Sequence, residues 1–190
     1  IAWYDNSKRD LPWRVSKKST KKLYYRLLSE FMLQQTQVKT VVPYFLRFIK
    51  KFKTLESLSK SNEKQILKLW EGLGYYRRAR NLLTSSKMLV KEYKSELPKT
   101  IKEIKKLPGV GEYTANALLG LIYDQPTIAI DGNVKRVFAR NLNKKEEKIN
   151  FEKLIFLNKK NLFNTSRNAD FVEALMEFGA LICTPKNPKC

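Results

Sequence analysis

The sequence predicts an all-α fold, and three observations predict it. Apolar residues recur at three- and four-residue spacing through most of the chain, the pattern of helices that bury one face. Strand-like alternation is nearly absent: only residues 127–130 are β-prone, and a stretch that short and isolated builds no sheet. The helical stretches are of moderate length with short connections, and no internal repeat or low-complexity linker interrupts them.

Taken in order, residues 3–6 read as the tail of a helix. Leu11-Pro12-Trp13-Arg14 reads as a turn or extended link, because a residue before proline is pushed out of the helical region. Residues 16–22 form a basic, polar loop, and helical patterns follow at 22–35, 39–52, 62–70, 75–93 and 100–107. Pro108-Gly109-Val110-Gly111 ends the last of these, and residues 113–123 resume the pattern, so two helices flank a tight glycine hairpin. One reading of the hairpin is an ordinary turn between packed helices. The other is a phosphate grip, with the N–H groups and positive dipole end of the second helix facing an anion. Residues 134–140 follow Asp131, which stands where an N-cap would. A final amphipathic helix covers residues 168–182, with Phe171, Leu175, Phe178 and Ile182 on one face; Glu173 and Glu177 fall elsewhere on it and are expected in solvent.

With 190 residues and 43% hydrophobic content, the chain is one large domain or two intertwined smaller ones with a real core. No apolar run approaches the roughly 18 residues that span a bilayer, so no membrane partner is expected. The first residue is Ile1 rather than Met and the last is Cys190, which reads as a piece of a longer chain. The net charge of +20 rests on 38 Lys and Arg against 18 Asp and Glu, spread along the chain. Distributed cations of this kind suit a polyanion, nucleic acid above all, although the preponderance of Lys also fits a merely solvated surface. The chain contains no histidine, which excludes Ser-His-Asp and Cys-His nucleophiles and His-ligated metals. Two cysteines, Cys183 and Cys190, are too few for a disulfide-rich secreted fold.

Two stretches are poor in charge where composition alone would place several. Residues 27–38, LLSEFMLQQTQV, carry only Glu30, where roughly three or four charges are expected. A helix there aligns Leu23, Leu27, Glu30 and Gln34, and Phe31, Met32 and Leu33 follow. Either Glu30 is an exposed acid on an amphipathic helix, or desolvation favours its neutral form, as a general acid requires. Residues 127–134, TIAIDGNV, hold Asp131 as their only ionisable group. Two acids in separate apolar settings suit glycosidic cleavage, one protonating the leaving group and one facing a cationic sugar. Gly72-Leu73-Gly74-Tyr75-Tyr76-Arg77-Arg78 puts two rings beside two cations, which suits unstacked bases and phosphates as well as it suits core packing at a helix start.

These residues carry a resemblance. LPWR (11–14), SEFMLQQTQV (29–38), VPYFLRF (42–48), LWEGLGYYRRARNL (69–82), LPGVGEYTA (107–115), DGNVKRV (131–137) and EALMEFGALICTPKNPKC (173–190) resemble, in order and over nearly the whole chain, the catalytic domain of MutY-type adenine DNA glycosylases in the helix-hairpin-helix superfamily. The resemblance implies a six-helix barrel over about residues 20–122, with the hairpin at about 100–121, and a second helical module from residues 1–19 and 123–190. The site is then expected between them. It implies a monofunctional enzyme of base excision repair that flips out adenine mispaired with 8-oxoguanine or guanine and hydrolyses its N-glycosidic bond.

By the same resemblance Glu30 protonates the adenine ring and later assists water, Asp131 stabilises the sugar cation, and Tyr113 and Asn133 support them. Glu173 contacts the flipped adenine and Arg14 lines its pocket. Tyr75 is a wedge, and Gln35 reaches into the stack. Leu107, Gly109, Val110 and Gly111 hold DNA backbone. Endonuclease III carries a Schiff-base lysine two residues after the last hairpin glycine; Tyr113 stands there, and no lysine occurs between Lys106 and Lys135, so weak lyase activity is expected. The family closes on four cysteines that bind a [4Fe-4S] cluster, and Cys183 and Cys190 match the first two. The implied partner is mispaired double-stranded DNA bound by a monomer, in the bacterial cytoplasm or the eukaryotic nucleus or mitochondrion. Two rivals remain at this point: a bifunctional glycosylase acting on oxidised pyrimidines, and a DNA-binding module without chemistry.

Overall fold

The computed structural model describes residues 1–190, and it is helical throughout, with no strand. In chain order the helices are α1 (Ala2–Ser7), α2 (Lys22–Leu33), α3 (Val38–Lys51), α4 (Leu55–Ser59), α5 (Glu63–Trp70), α6 (Arg77–Glu92), α7 (Ile101–Ile104), α8 (Glu112–Tyr123), α9 (Gly132–Asn141), α10 (Phe151–Leu162) and α11 (Asn168–Leu181). A single 3-10 turn, Glu146–Lys148, precedes α10.

The chain divides into two compact units, Asp10–Gly111 and a second made of Ile1–Arg9 with Glu112–Cys190. The divisions differ from the expected 20 and 122. At the second boundary the reason is α8, which packs along α11 and so belongs with the terminal segments; at the first, Trp13 packs on Phe45 within the Asp10–Gly111 unit.

In the Asp10–Gly111 unit, α2 is the central element. Leu27, Leu28, Phe31 and Met32 are fully buried on it, and it packs against α3 and α6, while α4 and α5 also pack on α6. Edge-on aromatic contacts link Trp13 to Phe45, Phe45 to Tyr25 and Phe48 to Trp70. Burial raises the pKa of the Tyr24 phenol, whose hydroxyl donates to the Phe52 carbonyl (2.8 Å). Thr54 and Asn62 close capping boxes that start α4 and α5. Five residues of α4 are too few to show a period, and this helix was not expected from the sequence. The helix expected over 100–107 is shorter than its pattern: after Ile104 the N–H groups of Lys106 and Leu107 donate three residues back, and the chain tightens into turns.

In the other unit α11 is the organiser, packing on α8, α9 and α1. Ala117, Leu121, Ala129 and Val172 form a core against which Tyr113 and Met176 lie. The short α1 is docked on α11 by Trp3, edge-on to Phe178 at 5.3 Å, and by Arg9, whose Nε and Nη2 grip the Glu177 carboxylate at 2.7 and 2.8 Å. Helix α10 was not expected, because exposed Phe156 and Leu157 on its outer face blur the periodicity.

Candidate functional site

Glu30 is buried on α2, at 7% exposure, between Ser29 and the fully buried Phe31 and Met32. The exposed-acid reading therefore fails for this residue. A few residues on, the chain leaves α2, and Gln35 adopts a left-handed backbone (φ 56°); Tyr75 does the same (φ 49°) beyond Gly74. Such torsions are uncommon outside glycine. Both side chains are exposed, Tyr75 at 61%.

Arg78 explains how both are held. Its guanidinium donates to the carbonyls of Met32 (2.7 Å), Phe31 (3.4 Å) and Gln34, and on the other side to Leu73 (3.3 Å) and Gly74 (3.2 Å). One cation thus grips the carbonyl preceding Gln35 and the carbonyl preceding Tyr75. It also lies 5.5 Å from the Trp70 ring centre and 5.2 Å from that of Tyr75. Desolvation lowers its pKa from the ordinary guanidinium value. The sequence reading set Arg77 and Arg78 side by side as cations for phosphate; Arg77 is exposed, but Arg78 is buried at 6% and turned to backbone carbonyls.

The hairpin packs tightly on this framework. Gly109 has φ +81°, and a Cβ there would stand 2.6 Å and 2.8 Å from Asn81 side-chain atoms and 2.9 Å from the Phe31 ring. Gln34 Nε2 donates to the Gly109 carbonyl (3.2 Å) and Ser85 Oγ to that of Pro108 (2.9 Å). Leu107 and Val110 bury their side chains, and the Val110 N–H donates to the Leu107 carbonyl (3.1 Å), so that amide is used by the turn itself. Gly111 is exposed with open space around it. Arg14 is half-buried, after Trp13, and its N–H closes a turn onto the Leu11 carbonyl (2.9 Å).

In the terminal unit Asp131 caps α9. Its Oδ1 accepts the Val134 N–H (2.7 Å), and its Oδ2 accepts Asn133 Nδ2 (3.1 Å). Asn133 Oδ1 in turn accepts Arg136 Nη2 (2.7 Å), while Arg136 also donates to the carbonyls of Gly179 (2.7 Å) and Cys183 (2.6 Å). Arg136 had not been singled out from the sequence; its signal was the three-residue spacing from Asn133 on one helix. Tyr113 lines a cleft of about 560 Å³ with Asn116, Ile130, Lys135 and Phe151 among its walls. Glu173 and Glu177, expected in solvent, are both buried, because α1 covers this part of α11. Glu173 Oε2 accepts the Tyr4 hydroxyl at 2.5 Å.

Cys183 is buried and Cys190 exposed, both as free thiols, and Arg140 Nη1 approaches Cys183 Sγ at 3.4 Å. A [4Fe-4S] cluster takes four thiolates, and no cluster of three or more Cys, Asp or Glu side chains is present to complete one. The residues of this chain do not fit a whole cluster.

Residues 28–158 match the family model of the HhH-GPD superfamily base excision DNA repair proteins. The chain is 42% identical over 195 residues to an adenine DNA glycosylase of Buchnera aphidicola, covering all of this chain and 53% of that protein. It is 39% identical to the adenine DNA glycosylase of Mus musculus, covering all of this chain and 38% of that one. The chain thus spans about half the length of such relatives, or less. Among solved structures, a thermostable thymine-DNA glycosylase superposes with a TM-score of 0.84 at 29% identity, over all of this chain and 86% of that one.

Proposed function

Because the chain belongs to the HhH-GPD superfamily of base excision DNA repair proteins, we propose that it removes adenine from duplex DNA in which adenine is mispaired with 8-oxoguanine or guanine. The reaction is hydrolysis of the N-glycosidic bond without strand cleavage. The observation that carries the reading is the buried carboxyl of Glu30, in a chain similar along its whole length to adenine DNA glycosylases.

In this mechanism the Glu30 carboxyl gives its proton to a ring nitrogen of the extruded adenine. The C–N bond then breaks with its electron pair leaving on the base, and a sugar cation remains. Asp131, whose carboxylate is aimed by Asn133 and the Val134 N–H, faces that cation. Water adds to the anomeric carbon and returns a proton to Glu30. Tyr113 occupies the hairpin position where a Schiff-base amine would stand, which favours hydrolysis over lyase chemistry.

Duplex DNA is the partner, bound by a monomer. The charge of +20 supplies attraction to phosphate, Gly111 and the start of α8 offer a backbone grip, and Tyr75 and Gln35 project to enter the base stack. Cys183 and Cys190 would supply two of four cluster thiolates in a chain that carries the other two. Iron content of a chain extended past Cys190, with and without Cys183→Ser, tests that assignment. No step above depends on the cluster.

Single-turnover release of adenine from a duplex with one adenine opposite 8-oxoguanine tests the reaction. The parent chain releases the base, and Glu30→Gln slows release at least about 100-fold while duplex affinity changes little. Equal release from both proteins would rule out Glu30 as the acid. Strong borohydride trapping of a protein–DNA adduct would replace hydrolysis with lyase chemistry.

A further inference from the structure

We propose that the outer face of α10 is a docking surface for an acidic, amphipathic peptide segment of another protein. Helical spacing puts Lys153, Phe156, Leu157 and Lys160 on one stripe, since Lys153 stands three and four residues before the two apolar side chains and Lys160 four and three residues after them. The stripe is turned outward. Phe156 is 79% and Leu157 68% exposed, more than any other large apolar residue of the chain, and both lysines are exposed. The helix does not need these side chains for its own docking. Phe151 is buried, with Lys135 Nζ 5.8 Å from its ring centre, while Leu154, Ile155 and Leu162 are half-buried. Just beyond the helix Phe163 meets Phe171 edge-on at 5.5 Å. Adjacent large apolar side chains left in water, on a helix whose inner face already holds it, mark a surface for association.

Charge decides the occupant. After Glu152 in the first turn no acid occurs before Asp170, and Lys159 adds a third exposed cation beside the stripe. The apolar pair is therefore bracketed by ammonium groups at both ends, and it fits a segment that offers apolar anchors between carboxylates. A second copy of this chain fits badly. Pairing the stripe with itself about a two-fold axis through Phe156 and Leu157 sets Lys153 of each copy against Lys160 of the other, between chains that each carry +20. A lipid surface fits no better, because an interfacial helix needs an apolar face along its length, and the remaining apolar residues of α10 are buried or half-buried. None of the stripe's side chains has a part in base excision as described above, so the surface and the reaction are tested separately.

The probe is a fluorescein-labelled amphipathic peptide with two leucines flanked by glutamates, read by anisotropy beside the same peptide with glutamine for glutamate. The parent chain is expected to bind the acidic peptide at least about tenfold more tightly than its glutamine counterpart. Phe156→Ser with Leu157→Ser is expected to weaken that binding at least about tenfold with Tm unchanged, and Lys153→Gln with Lys160→Gln to remove most of the preference for the acidic peptide. No binding by the parent chain, or equal binding by the parent and both double variants, overturns the proposal. So does loss of peptide binding in a chain extended past Cys190, because the face is then covered from within. Binding of a single-stranded oligonucleotide, or self-association in sedimentation, that depends on Phe156 and Leu157 where peptide binding does not, gives the face to a different occupant and overturns it as well.

Discussion

A guanidinium taken out of water is costly unless its donors are used, and Arg78 uses Nη1 and Nη2 on the carbonyls that precede Gln35 and Tyr75, leaving only Nε unpartnered. Arg78→Met keeps most of the volume but strands those carbonyls. We expect it to lower stability by about 3 kcal/mol in urea unfolding and to weaken duplex binding as both exposed side chains lose their anchor. Arg78→Lys should rescue poorly, since one ammonium cannot serve two loops as a planar fork does. Asp131 poses the opposite question, because it both caps a helix and faces the proposed sugar cation. Asn is as good an N-cap as Asp, so Asp131→Asn should hold stability within about 0.5 kcal/mol while adenine release falls steeply. Equal losses of stability and activity would reduce Asp131 to a cap.

Between elements, the contact of α11 with α9 depends on a missing side chain. A Cβ at Gly179 would stand 2.6 Å from the Asn133 Cβ and 2.9 Å from its carbonyl oxygen, a backbone group that cannot swing aside. Gly179→Ala is expected to cost about 2 kcal/mol, read as a lower Tm, and to slow excision by shifting Asn133 away from Asp131. The docking of α1 carries a pH dependence. The hydrogen bond from Arg167 holds the Asp5 carboxyl below its ordinary value of 3.8. The stabilisation is therefore present above pH 3.8 and lost as pH falls through the lower folded-state value. The difference in stability between the parent and Asp5→Asn should be small at neutral pH, since the pair is exposed, and vanish in acid well below pH 3.8.

For the whole molecule, the charge of +20 is expected to dominate the proposed association with DNA. The logarithm of duplex affinity should fall against the logarithm of salt with a slope on the order of −5 or steeper, and Glu30→Gln should leave that slope unchanged because no phosphate contact is removed. No helix is long and apolar enough to cross a membrane. The division into Asp10–Gly111 and the remainder puts Glu30 in one unit, and Asp131, Tyr113 and Glu173 in the other.

Sequence alone determined the helical class, the hairpin and the candidates Glu30 and Asp131. Helical spacing and glycine pairs are local signals, and a lone acid in an apolar run stands out without knowledge of its neighbours. The same locality hid α10, whose outward Phe156 and Leu157 break the pattern, and α4, too short to have one. It also misjudged Glu173 and Glu177 as solvent-exposed, since nothing near them announces that residues more than 160 positions away cover them. Only the tertiary structure decided that Arg78 turns to backbone carbonyls rather than to phosphate, that Arg136 reaches the carbonyls of Gly179 and Cys183, and that Tyr4 meets Glu173. Burial and hydrogen-bond partnership over such separations belong to packing, which no spacing along the chain encodes.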